Sequence, residues 1–479
     1  MSLKTSEPLS IVVVGASGDL ARKKIFPALF ALFSQDLLPD DFKAFGFARS
    51  VMDDDGFRTS IMEHLTCRYV PGEDCAAKMD AFLARCHYIS GDYSSSDSML
   101  DLYQTMQAHE TTDMVNRLFY LAIPPSVFIA TAESLGAAGL VACDDGSPWS
   151  RVVVEKPFGR DRASSDKLAA ALGLVFTERQ IFRIDHYLGK EVIQNLLVLR
   201  FSNAVFEPLL NCEHVAEVHI DWSENLSLEG RAGYFDKYGI IRDVMQNHLL
   251  EMLALLAMDQ PQNLTAAAIR KSKVNLLKSI APPELEQLVT GQFSAGELDG
   301  REYAAYTADK DVPDDSLTPT YAAVRLHVDN PRWKGVPFVL SAGKGLASRC
   351  TNIRVRFKQK GGGIFELHDS KLANNELVIR VQPDEGIHLS IVTKIPGLGM
   401  KLGAHDLDLS YGRVFKDSII PDAYEGLLLD VLRGDRSLFI SGEELSAAWD
   451  IFTPALHQLE QKAVRPQPYP FGGIPPELP

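Results

Sequence analysis

A chain of 479 residues is too long for one simple core and long enough for two large ones. Apolar residues make up 46% and charged residues 23%, which excludes a disordered or fibrous chain. The net charge of −15 argues against a nucleic-acid binder, so any phosphorylated ligand needs a local cluster of Lys and Arg.

From the start of the chain, short β-branched runs alternate with helical patterns. Strands are expected at 10–14, 43–48, 118–123 and 151–154, and a helix over 19–34 carries Leu20, Ile25, Leu29 and Leu32 on its apolar face. This alternation predicts an α/β Rossmann-like coenzyme domain, a doubly wound parallel sheet, over residues 1–184. From about 214 the texture changes. Runs at 214–222, 322–328, 352–357, 377–381 and 388–393 alternate like strands with one solvated face. Long helices are expected near 190–200, 239–258 and 422–433. Residues 185–479 therefore read as a larger α+β domain with a mostly antiparallel sheet. The tail beyond Lys462 holds six prolines and is expected to run extended over the surface.

The six cysteines, at 67, 75, 86, 143, 212 and 350, show no CxxC pair and no zinc spacing, so no metal site is expected. A chain of this size needs no disulfide staple, which points to a reducing compartment. The apolar run at 11–14 is too short for a signal segment, and the stretch at 249–258 is too short to span a membrane and carries Glu251. A cytoplasmic protein without a membrane partner is expected.

Residues 12–21 (VVVGASGDLA) read as a strand, a glycine turn and a helix start. Gly15, Ala16, Ser17, Gly18, Asp19 and Leu20 are the candidate contacts, because glycines let backbone amides approach a pyrophosphate that the helix N-terminus attracts. Arg22, Lys23 and Lys24 follow in the first turns, where the helix dipole disfavours cations unless an anion binds nearby. The second strand ends at Arg49, where an NAD site would usually carry Asp or Glu. A guanidinium there suits a 2′-phosphate, which favours NADP over NAD; the bland alternative is a solvated surface arginine. Lys156, within Glu155-Lys156-Pro157, closes the strand at 151–154 and points toward the crevice, and Pro157 fixes an extended or cis peptide.

Asp185, His186, Tyr187 and Lys190 stand together just before a helix (RIDHYLGK, 183–190). In a helical path His186 and Lys190 share a face, and with Tyr187 they offer a compact cationic and hydroxylic site for a phosphate. His248 closes IIRDVMQNH (240–248), with Asp243 and Asn247 as polar neighbours on an otherwise apolar helix. A base of this kind needs a carboxylate to fix its tautomer, and spacing does not say which Asp serves.

The stretches GASGDLARKK (15–24), EKPFG (155–159), RIDHYLGK and IIRDVMQNH together resemble the glucose-6-phosphate dehydrogenase family, and the likeness continues to DIFTP (450–454) and His457. The resemblance implies oxidation of β-D-glucose 6-phosphate to 6-phospho-D-glucono-1,5-lactone with reduction of NADP+, the first step of the oxidative pentose phosphate pathway. It implies that His248 is the general base, with Asp185 orienting it, and that His186, Tyr187 and Lys190 hold the phosphate. Lys156, Glu224, Asp243, Lys344 and Arg349 would contact the sugar, Lys24 and Lys156 would sit between cofactor and substrate, and Arg49 would hold the 2′-phosphate. A homodimer or homotetramer is implied as well.

Two departures stand out. Phe128 follows Pro124-Pro125 where the family often has a Tyr touching the cofactor. His388 and Ser390 stand where members with a second, structural NADP have Tyr and Lys, although Arg380 is retained, so no second site is expected. Three rival readings are weaker. A sugar oxidoreductase of the glucose–fructose type shares Glu-Lys-Pro but would leave His186 and Lys190 unemployed. A non-catalytic relative would show degenerate positions, whereas His248, Asp185, Lys190 and Lys156 are all present. Redox regulation through Cys67, Cys75 or Cys86 rests only on their proximity in the chain.

Overall fold

The computed structural model describes residues 7–70, 72, 74–142, 146–228, 230–359 and 374–479; Cys143 and the first six residues lie outside them. Six strands form a parallel sheet: β1 (Leu9–Val14), β2 (Phe42–Ala48), β3 (Cys86–Ser90), β4 (Asn116–Leu121), β5 (Ser150–Glu155) and β6 (Ile181–Ile184). Their order is β6-β5-β4-β1-β2-β3, so the chain reverses direction across the sheet between β1 and β4. All of β1 is buried, because helices cover both faces, and this is why it reads as an unbroken apolar run.

A later segment returns to this sheet. The strand Phe439–Ile440 pairs antiparallel with β6 and makes it seven-stranded. The helix Ala423–Arg433 packs into the same core, and its final carbonyls, of Val431 and Leu432, accept hydrogen bonds from Arg151 of β5. The β3 and β6 strands and this return were not expected from sequence, since four- and five-residue apolar runs carry little periodicity.

The second sheet has nine strands. Its centre is β7 (Val215–Ser223), flanked by Cys350–Phe357 and Pro337–Gly343. It is mostly antiparallel, as expected, with two parallel pairs. One of these corrects the expectation for the tail. Gln467–Pro470 is extended, as expected, but instead of running over the surface it pairs with β8 (Leu288–Ser294), burying Tyr469 and Phe471. Proline is admissible there because the segment is an edge strand. A second correction concerns the cysteines, since Cys67 and Cys75 form a disulfide across a short loop. Spacing eight apart is no recognised motif, so only the loop's path could reveal the pair.

Against one face of the second sheet runs a buried helix. It is π-wound over Ile241–Leu249 and continues as an α-helix over Leu250–Ala257, every residue of which is buried. The winding has a consequence for the polar residues. Five positions apart on an α-helix, at about 100° per residue, two side chains point about 140° apart. With i→i+5 bonding each residue turns through a smaller angle, which swings residue i+5 back toward the side of residue i, so Asp243 and His248 come to one side.

Candidate active site

The glycine turn sits at the carboxyl end of β1. Gly15 has φ +91°, and a Cβ there would lie 2.3 Å from the Ala122 carbonyl oxygen, so only glycine lets this turn pass the end of β4. Gly18 donates to the Gly15 carbonyl at 2.9 Å, and no side chain caps the helix start that follows. Gly18 and Asp19 are exposed, and Ala16 is buried against the sheet. Ser17 Oγ lies 3.3 Å from Ser50 Oγ, which brings the turn beside Arg49 at the end of β2. Arg49 is exposed and its guanidinium lies 5.4 Å from the Tyr93 ring centroid. A nucleotide's pyrophosphate and a ribose phosphate fit this donor set.

The nearby cations have partners that sequence did not reveal. Arg22 and Lys23 both pair with Asp19, at 2.9 and 3.0 Å, and Lys24 pairs with Asp422 on the returning arm at 3.0 Å. The dipole penalty on Arg22 and Lys23 is thus offset within the helix, and a bound anion is not needed to explain them. Phe128 is fully buried at the start of the helix Phe128–Ala137.

Asp185 and His248 meet although 63 positions apart. Asp185 Oδ1 lies 2.5 Å from His248 Nδ1 and also accepts from the Tyr187 amide at 2.9 Å. A carboxylate only accepts, so the ring donates from Nδ1 and Nε2 is left as the acceptor. Both groups are buried. Burial depresses His248 below its ordinary value against the pull of Asp185, and Lys156 pushes the same way as burial. Burial opposes the charge on Asp185, but the facing His248 outweighs it and holds the carboxyl at about 2. The pair is therefore a neutral imidazole oriented by an ionised carboxylate.

Around it stand the remaining residues singled out from sequence. Lys156 Nζ donates to the Asp243 carbonyl at 2.6 Å and its carboxylate at 3.1 Å, and the Lys156–Pro157 peptide is cis. Lys344 pairs with Glu224 at 2.8 Å and stands 3.8 Å from Asp243. Burial resists ionisation of Asp243, yet Lys156 and Lys344 prevail and hold it at about 2. Lys190 lies over the Tyr187 ring, 5.5 Å from its centroid, and 4.0 Å from Glu385. Arg349 is exposed, and its charge reaches Lys190 and lowers that ammonium's pKa beyond what burial does.

His186 departs from the cationic reading. It packs against the rings of Tyr187 and His248, each 4.9 Å away, and burial, with His248 beside it, holds it well below its ordinary pKa. The positive charge of this corner comes from Lys190 rather than from His186. A bound phosphate dianion would pull His186 back toward its charged form.

Several participants escaped the sequence because no local pattern marks them. Trp222 Nε1 and Gln382 Nε2 both donate to the Tyr187 hydroxyl, at 2.6 and 2.9 Å, which frees the hydroxyl's own proton for another acceptor. Tyr120 donates to Glu155 at 2.5 Å beneath Lys156, and burial raises this carboxyl to about 7. Trp222 and Gln382 sit on strands of the second sheet, at positions that become neighbours only when β7 and Glu376–Gln382 flank Cys350–Phe357. No helix among the described residues is long and apolar enough to cross a membrane.

Residues 12–195 match the family model described as glucose-6-phosphate dehydrogenase, NAD binding domain, and residues 197–478 match its C-terminal domain. The chain is 50% identical over 474 residues to the chloroplastic glucose-6-phosphate 1-dehydrogenase of Spinacia oleracea, covering 98% of this chain and 82% of that protein. It is 45% identical over 473 residues to the cytoplasmic glucose-6-phosphate 1-dehydrogenase 5 of Arabidopsis thaliana, covering 97% and 88%. A solved glucose-6-phosphate dehydrogenase in complex with its substrate glucose-6-phosphate superimposes with a TM-score of 0.91 at 39% identity, covering 99% of this chain and 96% of that one.

Proposed function

The chain belongs to the glucose-6-phosphate dehydrogenase family, and from that premise we propose how its own residues carry the reaction. It oxidises β-D-glucose 6-phosphate to 6-phospho-D-glucono-1,5-lactone. The observation that carries the mechanism is the buried His248–Asp185 pair, 2.5 Å apart, with Nε2 left as acceptor. His248 takes the C1 hydroxyl proton at Nε2 while the C1–H bond breaks with its electron pair, so no positive charge is stranded on C1 as the carbonyl forms. Asp185 keeps the tautomer and balances the imidazolium.

Lys190, His186 and Tyr187 hold the phosphate. Lys156, Asp243, Glu224, Lys344 and Arg349 hold the sugar. The first four, Lys156, Asp243, Glu224 and Lys344, form an ion-paired cluster that is already ordered before substrate arrives, which reduces the entropy cost of positioning C1. When bound, NADP supplies the hydride acceptor. The turn residues 15–20 would hold its pyrophosphate and Arg49 its 2′-phosphate, with Lys24 and Lys156 between the two ligands. Residues 1–184 form the NADP-binding unit and 185–479 the substrate-binding unit. The open face of the second sheet is proposed as the contact in a homodimer or homotetramer, and the enzyme as cytoplasmic.

The test is initial-rate reduction of NADP+ and of NAD+, each with glucose 6-phosphate and with plain glucose. Fast NADP+ reduction that requires the phosphate is expected. Rapid turnover of plain glucose would refute the phosphate site, and faster use of NAD+ would refute the role of Arg49.

A further inference from the structure

A cavity of about 290 Å³ lies at the start of the helix that carries His248, lined there by Ile241 and Arg242. Its lining includes none of the residues of the candidate active site. Part of the wall is apolar, from Ile241, Leu317, Leu456 and Leu459. Arg160 and Lys237 line it too and are exposed, which puts them at its rim.

The charges around this cavity are unequal. Three cations, Arg160, Lys237 and Arg242, face two carboxylates, Asp236 and Glu460. Glu460 is taken by Arg242 at 2.6 Å, and Asp236 accepts from the hydroxyls of Tyr306 and Ser316 at 2.8 and 2.5 Å. Arg160 leans on the Tyr238 ring, 5.9 Å from its centroid, and neither it nor Lys237 has a carboxylate partner among the described residues. Two exposed cations thus stand at the rim of a partly apolar cavity with no carboxylate opposite them among the described residues, which leaves the rim open to an anion. A small concave site lined by apolar side chains with a few polar groups is how small molecules are held, in volumes of roughly 300–1,000 Å³. This one stands at the lower end, which suits a single ring or a medium-length chain.

We propose that this cavity binds an amphiphilic carboxylate, with its apolar body against Leu317, Leu456 and Leu459 and its anionic head between Arg160 and Lys237. The site goes beyond the dehydrogenase reaction and does not depend on it. It adjoins the elements of the candidate active site, because Arg242 Nε donates to the Arg160 carbonyl at 2.7 Å. That bond joins the loop following Lys156 to the helix bearing Asp243 and His248. The ligand and glucose 6-phosphate bind together, since they share no contact residue.

Calorimetric titration of the whole protein with decanoate tests this, with and without glucose 6-phosphate, and with decyltrimethylammonium as the cationic counterpart. Saturable one-to-one binding of decanoate is expected, unchanged by glucose 6-phosphate, with no binding of the cation. Lys237→Glu and Leu317→Trp should each weaken it by about 10-fold or more, at unchanged turnover and unchanged melting temperature. Absence of saturable binding, equal binding of the cation, competition by glucose 6-phosphate, or parent-like binding in both folded variants would each overturn the proposal.

Discussion

In the first sheet β1 is buried along its whole length, whereas β7 of the second alternates buried and half-buried positions. The parallel sheet is covered on both faces, so its side chains are committed to the core and the candidate functional residues stand in the turns at strand ends: Gly15 after β1, Arg49 after β2, Lys156 after β5. The second sheet works differently. Trp222 and Gln382 reach the Tyr187 hydroxyl from within strands, and Lys344 stands one residue beyond one. A sheet that delivers its chemistry through turns concentrates it in short contiguous stretches. A sheet that delivers it through strand faces scatters it over more than a hundred positions.

That contrast is broken most directly at the helix between the two sheets. His248→Asn should lower kcat by about 1,000-fold, with the affinity for glucose 6-phosphate, measured by calorimetry, little changed. A next effect falls at the corner shared by both halves. Lys190→Ala should raise KM for glucose 6-phosphate by about 10- to 100-fold, with kcat affected less, because a charge-assisted contact to phosphate is lost. At the first sheet's own turn, Arg49→Ala should raise KM for NADP+ by about 10-fold and leave that for NAD+ nearly unchanged, seen in paired initial-rate series.

The pH profile separates base from orienter. His248 accepts a proton only when neutral, and its pKa lies below the ordinary 6.5, so kcat/KM should fall as pH drops through a value under 6.5 and stay level above it. Asp185 raises that pKa, so Asp185→Asn should move the limb to lower pH as well as lowering the plateau. The smallest effect belongs to the second sheet's open face. Arg354→Ala breaks a half-exposed 2.6 Å pair with Asp221 and should cost less than about 1 kcal/mol in denaturant melts.

Much of this molecule was legible in its residues. The continuous and alternating apolar patterns distinguish the two sheets, because side-chain period reports which faces are covered. The glycine turn, Lys156 before Pro157, and the run Asp185–Lys190 are local, and local chemistry survives in local order. What spacing left open was which carboxylate serves His248. Both Asp185 and Asp243 lie near it, but one shares a hydrogen bond with its ring and the other is held by two lysines. That division exists only once β5, β6, the π-wound helix and the strand Pro337–Gly343 are packed together. The return of 423–440 to the first sheet, the edge strand at 467–470 and the neutrality of His186 were likewise decided by tertiary structure. The reason is the same in each case: pairing partners, burial and neighbouring charge depend on distances that the chain's order does not contain.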